Sequence, residues 1–231
     1  MVEAGMPDMQ VFDDRQTLDT ALAAAVSERL QTALASRDKA YLVVSGGSTP
    51  ANLFALLART PIAWHRVVVL LADERWVPAH DKDRNERLVR ESLLTQHARD
   101  AAFISLIPAS VEGEADIASV SAAVAALPTF DVVLLGMGED AHTASLFPCS
   151  AELQAGMTTH EGVLITRPAS APHTRVSLSK HRLSNTRHGM LHIVGETKKT
   201  VLQQAVESGD EMRFPVSAFT SQPGFDCWWA P

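Results

Sequence analysis

Tyr41-Leu42-Val43-Val44-Ser45-Gly46-Gly47-Ser48-Thr49-Pro50 is the stretch from which the fold is read. Its first four residues are β-formers in an unbroken apolar run, and the Ser/Gly tract that follows cannot extend it. Pro50 suits the first turn of a helix, because its fixed φ matches the helix and its missing N–H would find no partner there. The stretch therefore reads strand, tight turn, helix. Upstream, Thr17 to Arg37 places Leu18, Leu22, Ala25, Val26, Leu30, Ala33 and Leu34 at helical spacing, with Glu28 and Arg29 off the stripe; this is an amphipathic helix. Downstream the alternation repeats. Strand Arg66–Leu71, helix Asn85–Gln96, strand Phe103–Ile107, helix Glu114–Leu127 and strand Asp131–Leu135 lead to Gly136-Met137-Gly138, which is read as opening another helical stretch. Short, continuous apolar strands alternating with helices predict an α/β fold whose mostly parallel sheet carries helices on both faces.

After Pro148 the pattern loosens. Val163–Thr166, Arg175–Leu178 and Leu191–Val194 read as strands, with helices near Lys180–Thr186 and Thr197–Glu207. This leaves room for a small subdomain around 150–190. With no repeat and no Pro/Gly/Ser-rich linker, the 231 residues are expected to form a single domain over 1–231. A hydrophobic content of 46% against 20% charged residues is enough for a sizeable core and excludes a disordered chain. The formal charge of −7 argues against nucleic acid or anionic lipid as partner, since a basic face supplies most of that affinity. No apolar run approaches the roughly 20 residues of a membrane span, and the acidic, mixed N-terminus lacks the pattern of a signal peptide. Cys149 and Cys227 form neither a CxxC nor a disulfide framework, so a cytoplasmic location is expected. One basic region stands out: between His160 and Gly189, Arg167, Arg175, Lys180, Arg182 and Arg187 face a single acid, Glu161. It is either an anion patch or a solvated basic face.

Three segments carry chemistry. Ser45-Gly46-Gly47-Ser48-Thr49, at a strand-to-helix turn, offers close backbone approach, hydroxyl donors and unpaired helix N–H groups, which together suit a phosphate. It contains no Walker lysine, so ATP is not implied. The alternative is a plain turn with a capping hydroxyl. Asp73-Glu74-Arg75-Trp76-Val77-Pro78 follows an apolar strand, at the end where open parallel sheets bind ligands. Arg75 could grip an anion through its planar fork, or merely close a surface ion pair with its neighbours. The third segment runs from Gly136-Met137-Gly138 through Asp140 and His142 to Phe147-Pro148. Its nominal dinucleotide fingerprint follows a late strand and is discounted. His142, with Asp140 two residues before it, suits a base that activates water. No Gly-x-Ser-x-Gly and no His-Glu-x-x-His occurs, and the other histidines show no metal spacing. Trp228-Trp229 is read as packing.

In order and in combination, these three loops resemble those of the 6-phosphogluconolactonase family. Asn85, Arg175-Val176-Ser177-Leu178 and Gly195-Glu196-Thr197-Lys198 match as well. The resemblance implies a modified Rossmann-like, doubly wound fold shared with glucosamine-6-phosphate isomerase/deaminase. It also implies hydrolysis of 6-phospho-D-glucono-1,5-lactone in the oxidative pentose phosphate pathway, with a small sugar-phosphate lactone as partner and no metal or organic cofactor. By analogy His142 is the general base and Asp140 its orienting partner. Ser45, Gly46, Gly47, Ser48, Thr49 and Arg175 hold the phosphate, and Asp73 and Arg75 line the sugar site. The sister deaminases continue beyond their His to a Glu used in ring opening; here Phe147 occupies that place. Three positions depart from the lactonase pattern. Ala141 replaces a Gly, Arg84 replaces a Ser, and Ser170 stands where a Lys is common, which leaves Arg167 or His173 to supply that charge. The resemblance leaves the oligomeric state open.

Overall fold

The computed structural model describes residues 9–109 and 113–231. In chain order the elements are β1 (Met9–Val11), α1 (Arg15–Ser36), β2 (Ala40–Val44), α2 (Ala51–Arg59), β3 (Val67–Leu71), β4 (Asp73–Arg75), α3 (Asn85–Ser92), β5 (Ala102–Ile104), α4 (Ile117–Ala125), β6 (Phe130–Leu135), α5 (Leu153–Thr158), β7 (Val163–Thr166), β8 (Arg175–Leu178), α6 (Lys180–Ser184), β9 (Thr186–Val194), α7 (Glu196–Ser208), α8 (Ser217–Thr220) and β10 (Phe225–Ala230). Seven strands form one sheet in the order β1-β10-β9-β6-β2-β3-β5, and every neighbouring pair is parallel. All residues of β3 and of β6 are buried, so both faces of the sheet are covered at its centre. The predicted α/β architecture is present.

The looser region after Pro148 supplies β7 and β8 to a second, three-stranded antiparallel sheet, which β4 completes from the other end of the chain. β1, β4, α5, α8 and β10 were not legible in the sequence. The first two are only three residues long, too short to show a period. β10 contains the Trp228-Trp229 pair, and both rings are buried, as expected of packing residues.

Four predicted elements change. The strand expected over Phe103–Ile107 is Ala102–Ile104, the helix expected over Asn85–Gln96 ends at Ser92, and the strand expected over Leu191–Val194 begins at Thr186. The helix expected after Gly136-Met137-Gly138 is absent: residues 136–150 form successive turns. Ala141 (φ 62°) and Ala144 (φ 50°) are left-handed, which no α-helix accommodates, and Thr143 ties its hydroxyl back to the Gly136 carbonyl at 2.8 Å. Local hydrogen bonding within the turn outweighs the helical pattern of the segment.

The topology places the site. From β2 the chain passes through α2 to β3 and on to β5, then returns to the other side of β2 as β6 and proceeds to β9 and β10. Successive connections diverge at the β2/β6 pair, and a crevice opens beyond its carboxyl ends. The two glycine-bearing loops leave from these two strands. They are joined where Ser45 N–H donates to the Leu134 carbonyl at 3.0 Å and Gly136 N–H donates to Ser45 Oγ at 3.3 Å.

Candidate active site

The crevice holds a half-open cleft of about 230 Å³. Ser45, Gly46, Gly47, Ser48, Thr49, Asp73, Arg75, His142 and Arg175 all line it. Asp140, the remaining residue singled out from the sequence, stands behind His142 rather than on the wall. Two lining residues escaped the sequence reading as individuals, Lys198 and His192.

The 45–50 loop turns sharply at Gly47, whose φ of +90° no L side chain adopts cheaply. Pro50 then caps α2, and its carbonyl accepts the Phe54 N–H at 2.8 Å. The loop and the first turn of α2 thus present amide donors to the cleft. Arg175 reaches the same space from β8, with Nη1 3.6 Å from Asp73 Oδ2 and its guanidinium over the Phe147 ring at 5.2 Å. Lys198, in the first turn of α7, adds a cation to the Arg75 and Arg175 of the cleft wall. Burial pulls its ammonium below the usual lysine range against the opposing pull of Glu139.

The other expected sources of charge lie elsewhere. Arg167 pairs with Glu114 and Glu152, and His173 contacts Asp83 at 3.1 Å. Ser170 faces Cys149 Sγ at 3.1 Å. Lys198, not Arg167 or His173, is the additional cation on the cleft wall. The basic region between His160 and Gly189 does not assemble either: Lys180 pairs with Glu211, Arg182 is buried over Phe130, and Arg187 approaches Asp131. Only its Arg175 reaches the cleft.

His142 is fixed from two sides. Its Nδ1 lies 2.5 Å from Asp140 Oδ1, and its backbone N–H donates to the same oxygen at 3.2 Å. Burial alone would raise the Asp140 carboxyl, but the hydrogen bonds and charge of His142 outweigh it and hold Asp140 below the usual carboxylate range. An ionised carboxylate only accepts, so Nδ1 carries the proton of this contact, and in the neutral imidazole Nε2 is the acceptor. Phe147 stacks on the imidazole, centroids 3.9 Å apart and planes 17° from parallel. A Cβ at Gly138 would lie 2.1 Å from His142 Nδ1 and 2.7 Å from Asp140 Oδ1, so that position has no room for any side chain.

Asp73 and Glu74 are buried rather than paired on the surface. Asp73 accepts the Ser145 hydroxyl at 2.5 Å. Glu74 Oε1 accepts the backbone N–H groups of Arg75 at 2.6 Å and Asn85 at 2.8 Å, and Oε2 accepts that of Glu86 at 2.7 Å. Glu74 thereby caps α3, and Arg84 packs beside it with Nε 3.3 Å from Oε2. Burial pushes the Glu74 carboxyl up to about 7 against the pull of these donors. Arg75 donates to the Asp83 carbonyl at 2.7 Å, which closes the 76–84 loop against β4.

A family model described as glucosamine-6-phosphate isomerases/6-phosphogluconolactonase matches residues 13–229. The chain belongs to this family. A 6-phosphogluconolactonase of Rhizobium meliloti (strain 1021) is 40% identical over 229 residues, 97% of this chain and 99% of that protein. The crystal structure of a 6-phosphogluconolactonase from Shewanella baltica OS155 superposes with a TM-score of 0.94 at 44% identity, covering 98% of this chain and 100% of that one. A monomeric glucosamine-6-phosphate deaminase shares the fold, with a TM-score of 0.82 at 14% identity over 96% of this chain and 97% of that one.

Within the glucosamine-6-phosphate isomerase/6-phosphogluconolactonase family, two departures of this chain find physical reasons. Arg84 is buried and bridges Glu74 to the carbonyls of Val77 at 3.0 Å and Ile107 at 2.8 Å, a structural role. Ala141, where the family pattern has Gly, takes φ 62°. A left-handed Ala costs about 1 kcal/mol, but its methyl group is fully buried, which returns about 0.8 kcal/mol. Ala141→Gly is therefore expected to shift stability by less than about 1 kcal/mol in a urea unfolding curve, because relieved strain is offset by lost burial and greater chain entropy.

Proposed function

We propose that the chain hydrolyses 6-phospho-D-glucono-1,5-lactone to 6-phosphogluconate, the lactonase step of the oxidative pentose phosphate pathway, in the cytoplasm. The observation that carries the proposal is the Asp140–His142 contact, which turns Nε2 away from Asp140 as the acceptor of the neutral imidazole, on a ring lining the same cleft as the 45–50 loop, Arg175 and Lys198. In this reading the phosphate is held by the amides of that loop and these two cations, at the far end of the cleft from the reacting carbon. Nε2 of His142 takes a proton from a water molecule as it attacks C1, and cations and N–H donors of the cleft stabilise the oxyanion. The C1–O bond to the ring oxygen breaks, and the imidazolium returns its proton to that oxygen. Charge and protons balance without a redox step. Two unpaired cysteines, Cys149 and Cys227, suit a reducing compartment.

Phe147 favours hydrolysis over aldose–ketose isomerisation. It covers one face of the imidazole with a ring that cannot exchange a proton, at the position where the deaminase pattern has its Glu. The test is lactone consumption measured against the uncatalysed rate, with ammonia release from glucosamine 6-phosphate followed in parallel. Turnover of the lactone with no ammonia is expected. Ammonia release, or sugar-phosphate binding without turnover, would overturn the reading.

Gly138→Ala tests the geometry of the base. The new methyl group must displace the imidazole or Asp140, and a displacement near 1 Å costs on the order of 10²-fold in rate. Steady-state kinetics should show that loss in kcat while the affinity for inorganic phosphate is kept. An unchanged kcat would mean that the ring's present position is not the reactive one.

A further inference from the structure

Beneath the 45–50 loop lies a second imidazole–carboxylate pair, which the mechanism above does not use. His192 on β9 is buried and brings Nε2 to 2.9 Å from Oδ1 of Asp19, a fully buried carboxylate on α1. The other oxygen of Asp19 accepts from Asn52 Nδ2 at 2.8 Å, in the first turn of α2, and lies 3.5 Å from Arg15 Nε. Arg15 in turn donates from Nη2 to the Thr49 carbonyl at 2.6 Å, within the phosphate-binding turn itself. The His192 ring lines the cleft beside that turn and Lys198.

A buried carboxylate is tolerated only when it is compensated. Burial alone would raise Asp19, yet its contact with His192, its hydrogen bond from Asn52 and the charges of His192 and Arg15 hold it below the usual range, so it is ionised. Its partners come from three elements: α1, the start of α2, and β9. The loop whose amides would hold the phosphate runs from β2 to α2, so its position depends on how α2 is anchored. Asn52 fixes the first turn of α2 to Asp19, Arg15 fixes Thr49 to the same carboxylate, and His192 pins Asp19 to the central sheet.

We propose that the His192–Asp19 pair, through Asn52 and Arg15, is the device that positions the phosphate-binding turn, so that it sets affinity for the phosphoryl group without taking part in the chemistry at the lactone carbon. This rests on the lactonase reading. It adds a role for residues outside the catalytic pair.

The test compares the full-length chain with His192→Gln and with Asn52→Ala. Asn52 is solvent-exposed, so its replacement does not threaten the core. Three quantities are read: kcat/KM for the phosphorylated lactone, the same for unphosphorylated glucono-1,5-lactone, and the dissociation constant of inorganic phosphate by calorimetry. In His192→Gln the ratio of the two specificity constants should fall about 10-fold, through KM rather than kcat, and phosphate should bind correspondingly more weakly. Asn52→Ala should move both readouts in the same direction by a smaller factor. An unchanged ratio and phosphate affinity in Asn52→Ala and in folded His192→Gln would overturn the proposal, as would equal losses on both substrates with phosphate binding intact. If the wild type binds phosphate but does not turn over the lactone, the lactonase reading fails, while the phosphate measurements still decide the role of the pair.

Discussion

His142→Ala is expected to lower kcat for the lactone by roughly 10²–10⁴, the span of general acid–base catalysis. The loss falls on kcat because in the proposed mechanism the side chain acts on water, while the groups proposed to bind the sugar phosphate, Arg175, Lys198 and the 45–50 amides, line the cleft from other elements. KM should therefore change little. Because a lactone hydrolyses slowly unaided, the measurement must subtract a matched buffer rate. A variant that retains full turnover above that blank would show that His142 is not the base, and the Asp140 contact would then be purely structural.

Glu74→Ala is expected to destabilise the fold by about 3–5 kcal/mol, the cost of breaking a buried ion pair from one side. The substitution removes the acceptor for the backbone N–H of Arg75 on β4 and for two at the start of α3, and leaves the almost fully buried Arg84 guanidinium with one of its two carboxylate contacts, Glu86 at 3.3 Å. Urea unfolding should show a large fall in midpoint with little change in slope. Glu74→Gln keeps an amide oxygen as acceptor and should lose less. A midpoint shift under about 1 kcal/mol in Glu74→Ala, the scale of a surface change, would mean that Glu74 does not hold the 73–86 segment. That segment carries Asp73 and Arg75 to the cleft, so lactone turnover should fail at lower urea concentrations in the variant.

The separate contributions of sequence and fold show in particular residues. The unbroken apolar runs of β2, β3 and β6 announced a covered parallel sheet, because only strands buried on both faces dispense with alternation. The Ser45–Thr49 turn and the Asp140–His142 spacing were legible for a related reason, since the chemistry they carry is local. An imidazole and a carboxylate two residues apart meet within one turn, and a Gly-rich strand-to-helix junction exposes its own amides. By contrast Glu74 read as half of a surface ion pair, and only the fold buries it under α3. Lys198 reaches the cleft from a helix that begins after β9, and no spacing along the chain links it to Arg175 or to Ser45. The basic run between His160 and Gly189 stayed open between an anion patch and a solvated face for the same reason: neighbours in sequence were sent to different partners. What the sequence determined by itself was the class of fold and the local motifs, because hydrophobic periodicity and turn chemistry act over a few residues. Which cations join the Ser45–Thr49 turn at the cleft, and which carboxylates are buried beneath it, was decided only by the tertiary structure, because those contacts depend on strand order in the sheet.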